Sequence, residues 1–303
     1  MPKKQILGGH CEAVGMNRPV RLDQIGWIPR SIRVELTRHQ QDFERSEYKE
    51  TIEGEPWFER VACALEEVAA RRDVVAFHCC RQAAPGEIAS RGLRVLEGNG
   101  DLHRAEFLDR FGHLFTETDR EQIRRDFDQV WADGNFSRGR QGKICFALAH
   151  PRHWGGGADD LLGIYGGEAI YGTWGRVGPI VDRLRMIGAP AVVQFRINVD
   201  AILTWMRKPA AGRTALWAWH RRFRPDVSPY WAEGYMHECV PPERILMVEE
   251  WLPPSMRRAR RYPSAGRQPP QSKERRPQKA SAAEDGLTDE ERQRIIDELD
   301  ERV

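Results

Sequence analysis

Three polar groups sit at the ends or edges of apolar runs in this chain, and each is of a type that can handle a nucleotide. His78 closes the run Val74-Val75-Ala76-Phe77. A neutral imidazole donates from one ring nitrogen and accepts at the other, so it can give a ligand a hydrogen bond and take one back. Glu238 enters a short stretch ahead of Val240-Pro241-Pro242, and a placed carboxylate can stabilise a developing cation or take a proton. Between them, Gly163-Ile164-Tyr165-Gly166-Gly167-Glu168-Ala169-Ile170-Tyr171 offers two phenol rings flanked by glycines that let backbone approach a ligand closely. Arg81 stands three positions after His78 and adds a fixed positive charge. Each has a plainer reading: a strand-end histidine satisfied by backbone, an edge-strand surface glutamate, core tyrosines.

The elements that must position these groups read as an α+β mixture. Trp57, Phe58, Val61, Leu65 and Val68 recur at helical spacing over residues 55–72 and lead directly into the His78 strand. Residues 86–93 read as a short helical turn ended by Gly92. Residues 102–131 read as a polar helix, and Asp159 and Asp160 stand where they would open a helix through Tyr165. Gly142-Lys143-Ile144-Cys145-Phe146-Ala147-Leu148 and Ala189-Pro190-Ala191-Val192-Val193-Gln194-Phe195-Arg196-Ile197 read as strands, and a further strand is expected around Met236-His237-Glu238. Residues 31–53 are charge-dense and read as a solvated helix. Long, irregular connections between strands favour α+β over a doubly wound sheet.

The sequence of histidine, middle strand and glutamate resembles the His-Tyr-Glu arrangement of ADP-ribosyltransferases. In poly-ADP-ribose polymerases and transfer-RNA phosphotransferases a strand ends in His-Gly-Thr or similar. An Ile and a Gly-Leu pair then follow at the interval shown here by Ile88 and Gly92-Leu93. Their glutamate starts a strand and precedes a Val, a proline or two and a later Ile, a pattern matched by Glu238-Cys239-Val240-Pro241-Pro242-Glu243-Arg244-Ile245. Gly142-Lys143-Ile144-Cys145-Phe146-Ala147 is similar to the Gly-x-Tyr-Phe-Ala strand of the polymerases, but Cys145 stands where tyrosine is expected. A thiol cannot stack on nicotinamide as a phenol does.

Over residues 73–252 this resemblance implies a split, mostly antiparallel sheet around an NAD cleft, preceded by a helical extension over residues 1–72. It implies mono-ADP-ribosyl transfer from NAD to a macromolecule, without a metal. Glu238 would be catalytic, while His78, Arg81, Gly92 and a tyrosine would hold NAD. Tyr165 is the first choice for the ring that Cys145 lacks, and Tyr171 the second. The expected acceptor is nucleic acid, single-stranded if Trp217, Trp219 and Trp231 are exposed for stacking, as in a toxin or anti-phage effector; a protein acceptor is nearly as well matched. A hydrolase that passes ADP-ribose to water, or a non-catalytic nucleotide- or partner-binding relative, would use the same framework. An RNA 2′-phosphotransferase fits less well, because only Arg81 stands near the histidine.

Composition narrows the setting. No run approaches the ~20 apolar residues of a membrane helix, and the start Met1-Pro2-Lys3-Lys4-Gln5 leads into no apolar signal region. A cytoplasmic protein is therefore expected. The six cysteines show no Cys-x-x-Cys spacing, which disfavours a zinc site and fits buried reduced thiols. Net charge is +2, but residues 252–279 hold nine basic side chains and one acidic, and residues 284–303 nine acidic and three basic. Residues 253–286 read as a disordered basic linker. Residues 287–303 read as a short helix opened by a capping box at Thr288, suited to docking an antitoxin or other partner.

Overall fold

The computed structural model describes residues 4–5, 18–46, 52–95, 101–132, 142–153, 157–166, 178–225 and 232–251. Residues 1–257 belong to one compact unit; residues 258–303 lie wholly outside the described residues, as do the expected linker and terminal helix. The strands are β1 (Lys4–Gln5), β2 (Asp73–Gln82), β3 (Ile144–Ala147), β4 (Ala189–Asn198), β5 (Glu233–Met236) and β6 (Ile245–Glu250). They form one antiparallel sheet in the order β1-β6-β4-β2-β3-β5. The α+β expectation holds at this level.

The middle of the sheet is the pair β2–β4, in register from Asp73↔Asn198 to Gln82↔Ala189. Both strands are near-continuous apolar runs because both faces are covered. Val74, Ala76, Val193, Phe195 and Ile197 face one side, and Val75, Phe77 and Val192 face the other.

The helices are α1 (Arg30–Arg38), α2 (Gln40–Arg45), α3 (Pro56–Ala70), α4 (Glu87–Arg91), α5 (Asp101–Phe111), α6 (Glu117–Ala132), α7 (Gly157–Gly163), α8 (Pro179–Met186) and α9 (Ala210–His220). The helical segment ahead of Asp73 packs into the body of the fold. Pro56 opens α3 with its φ already set and no N–H to satisfy. Trp57, Phe58, Val61, Ala62, Leu65 and Ala69 then bury one face, mainly against α9. Each such side chain contributes roughly 1.5–3 kcal/mol on burial. All eleven residues of α9 are buried. Gly212 lets the two helices touch: a Cβ there would stand 1.9 Å from the Ala62 carbonyl oxygen. Arg213, buried on α9, is held by Glu59 and by Glu53 at 3.3 Å.

Three expectations need correction. Residues 102–131 break into α5 and α6, separated by a 3-10 turn at Gly112–Leu114. The segment around Glu238 is no strand: β5 ends at Met236 and β6 starts at Ile245. Pro241 and Pro242 offer no N–H to a ladder, so that stretch becomes a turn and a 3-10 helix. Trp217 and Trp219 are buried on α9 at 4% and 3% exposure, so they are not a stacking surface. Trp231 lies outside the described residues.

Candidate functional site

The sheet nearly divides between β2 and β3. Only Phe77↔Ala147 is paired across that junction, whereas all ten residues of β2 pair with β4. Past Phe77 the two strands part, and the ring of His78 bridges the gap, with Nδ1 2.7 Å from the Cys145 carbonyl oxygen. A carbonyl only accepts, so Nδ1 carries the proton and Nε2 of the neutral ring is left as an acceptor. Burial holds the His78 pKa below the ordinary histidine value, with the Cys145 bond opposing it, so the ring is neutral at neutral pH.

One row of residues crosses the sheet at this junction: Met247, Gln194, Phe77, Ala147 and Glu233 are successive partners. Glu233 opens β5 and is exposed. Strands lie about 4.8 Å apart, which puts the Glu233 backbone roughly 10 Å from that of Phe77. Cys145 pairs with Tyr235, so by strand alternation Cys145, Ala147, Glu233 and Tyr235 share one face with Phe77, and His78 takes the opposite face. The ring beside the departing Cys145 is therefore Tyr235. It stacks on Trp205 at 4.3 Å between centroids, with the Lys143 ammonium 4.5 Å from its own centroid. Trp205 is 51% exposed.

Glu238, the carboxylate singled out by sequence, is exposed and lies two residues beyond β5. Its segment is nonetheless tied to the His78 motif. Leu93 and Val240 exchange both main-chain hydrogen bonds at 2.8 Å. Gly92 makes this possible: its φ is +76°, and a Cβ would stand 2.0 Å from the Val240 oxygen. The Gly92-Leu93 and Glu238-to-Ile245 motifs are thus joined by backbone.

The remaining predicted residues serve the scaffold as placed. Arg81 donates to the carbonyls of Leu162, Arg185, Ile187 and Gly188 at 2.8–2.9 Å, holding α7 and the end of α8 against β2. It is a clamp for two helix ends, where a phosphate contact was expected. Tyr165 is partly buried between Phe107 and Phe111, 6.2 and 5.0 Å away, and burial pushes its pKa up. It is a core aromatic of the cluster formed with α5 and α8. Tyr171 and Gly167 lie outside the described residues. Burial pushes the Cys79 thiol up strongly and that of Cys80 to about 12, so both are inert thiols, as expected.

A buried polar network on the Phe77 face was not anticipated. Arg21 donates twice to Asp23, whose carboxylate accepts from the His150 main-chain N–H at 3.2 Å. His150 Nε2 is 3.1 Å from Glu249, which also accepts from Gln194 at 3.4 Å. His153 Nδ1 lies 2.7 Å from Arg221, and burial with that neighbouring charge pushes its pKa down to about 4. His150-Pro151-Arg152-His153 was the available signal, but its partners lie more than sixty residues away.

Among the described residues no group of three or more His, Cys, Asp or Glu could hold a metal ion, and no helix is long and apolar enough to cross a membrane. Comparison with family models, curated proteins and solved structures finds no match to this chain.

Proposed function

We propose that this chain is a mono-ADP-ribosyltransferase that moves ADP-ribose from NAD to a macromolecular acceptor, with nucleic acid preferred. The observation that supports the reading best is the β2–β3 junction: a neutral histidine on β2 spans a gap in an antiparallel sheet. A glutamate opens β5 two strands away on the opposite face, so NAD would have to reach through that gap to meet both. In this reading His78 holds the ribose next to adenine. The family's glutamate starts a strand, a criterion that Glu233 meets and Glu238 does not. Glu233 is therefore the preferred catalytic carboxylate. Tyr235, beside Cys145, takes over as the ring that stacks on nicotinamide.

The chemistry asks little else of the protein. The C–N bond to nicotinamide breaks with its electron pair leaving on nicotinamide, and the ribose gains oxocarbenium character. A carboxylate against a ribose hydroxyl stabilises that charge. The acceptor's nucleophile then forms the new bond, and its proton passes to the carboxylate.

Purified protein incubated with adenylate-labelled NAD and cell extract tests this reading. Label should enter a macromolecule and disappear on nuclease treatment of the extract. Disappearance only on protease treatment would move the acceptor to protein. NAD loss without labelling would identify a hydrolase, and no NAD loss at all would overturn catalysis.

A further inference from the structure

A shallow groove of about 700 Å³ runs between α1 and the end of α9, lined by Arg30, Arg33, Val34, Arg38, Trp219 and Arg222 among others. We propose that this groove binds a nucleic-acid strand through its phosphates. It shares no lining residue with the His78 junction.

Arg30, Arg33, Val34 and Arg38 fall at helical spacing on the exposed face of α1, while Leu36 turns into the core. Eight residues of helix put the outer two arginines about 12 Å apart along the axis. Arg222 faces them from just past α9, its guanidinium 4.6 Å from the Trp219 ring centroid. Among the described residues, Arg30, Arg33 and Arg222 make no ion pair. Arg38 has Glu35 at 2.8 Å, and Glu35 is shared with Arg60. The groove therefore holds a surplus of positive charge, all of it guanidinium, whose planar fork suits phosphate oxygens.

Helix energetics argue that the arrangement serves a ligand. The N-terminal end of a helix is its positive end and favours carboxylates there. The first turn of α1 has no acidic residue, and Arg30 and Arg33 stand in or next to it. Among the described residues no carboxylate pairs with Arg30 or Arg33, and a local rule broken without compensation is expected at functional places. Phosphates in the groove would supply the missing anions.

This deepens the transferase reading by naming where its acceptor is held, but binding is measured without NAD, so the two fail separately. The full chain is titrated into a fluorescein-labelled 20-nucleotide oligothymidylate, and anisotropy is followed over a range of salt. The triple variant Arg30→Gln/Arg33→Gln/Arg222→Gln should bind roughly tenfold or more weakly, with the log–log salt slope shallower by about 2, since each contact to a single strand contributes about 0.7. Its melting temperature should equal or exceed the wild type, because the substitutions relieve the helix dipole; Arg30→Gln/Arg33→Gln serves as a milder second variant. The tail variant Arg257→Gln/Arg258→Gln should lose less than the groove variant. Unchanged affinity and slope in both groove variants would overturn the proposal. So would competition by poly-glutamate as strong as by an oligonucleotide of equal charge, which would mark an acidic protein surface as the partner.

Discussion

His78 Nδ1 lies 2.7 Å from the main-chain oxygen of Cys145, across a junction that the β-ladder leaves open one residue beyond Phe77↔Ala147. The bond fixes the ring's tautomer and closes the gap with a side chain that still has a free acceptor. His78→Ala should leave the fold in place and weaken NAD binding by about ten- to a hundredfold, the equivalent of one or two buried hydrogen bonds. Calorimetric titration with NAD reads this directly; equal affinity in variant and wild type would remove His78 from the site.

Gly92 carries the contact between the two sequence motifs. Gly92→Ala forces a Cβ to 2.0 Å from the Val240 oxygen at a φ of +76°. It should cost about 2–4 kcal/mol, through strain at positive φ and loss of the Leu93–Val240 pair. Urea denaturation measures the loss, and a change below ~0.5 kcal/mol would show that the pair is dispensable.

Arg213 on α9 is almost fully buried against Glu59 and Glu53. Glu59 and Glu53 are partly exposed, and Glu59 also meets Arg207 at 3.2 Å. The charge that must not be left alone is therefore the buried cation: Glu59→Gln/Glu53→Gln should cost about 3–5 kcal/mol. Arg213→Met/Glu59→Leu, which removes the buried cation and one partner, should recover much of it. Equal losses in both would point to packing of the arginine stem over Phe58, 5.5 Å away, as an equal contribution.

Much of the frame was legible in the sequence because it obeys simple periods. The β-branched run of β4 and the 57-58-61-65 pattern of α3 appear where expected. The site was harder to read. β5 has four residues, one of them Gly234, which a strand pattern disfavours; a Cβ there would stand 2.6 Å from the Phe146 ring. Pro241-Pro242 points to a strand opening at Glu238, whereas β5 runs over Glu233–Met236. The contacts of Arg81 are not legible for another reason: the carbonyls it serves sit at two helix ends more than eighty residues away. Tyr235 became a candidate ring only through its pairing with Cys145, which depends on sheet topology.

Acid should destabilise the protein in a defined window. Burial holds His78, His150 and His153 below the ordinary histidine value, His153 at about 4. The unfolded chain then binds protons first as pH falls. Stability is full above about pH 6.5 and declines toward the folded-state values, by up to about 1.4 kcal/mol per pH unit for each histidine. Denaturant midpoints at pH 7 and 5 should differ more for the wild type than for His153→Asn. Equal differences would mean that His153 titrates freely in the folded state.

The central claim is a carboxylate at the head of β5 acting on NAD. Nicotinamide release by the wild type, Glu233→Gln and Glu238→Gln tests it most directly, with folding of each checked by circular dichroism. Glu233→Gln should lose at least about a hundredfold in turnover, the scale of a lost transition-state contact, while Glu238→Gln stays near wild type. Full activity in Glu233→Gln with loss in Glu238→Gln would contradict the assignment, and no release by the wild type would contradict the transferase itself.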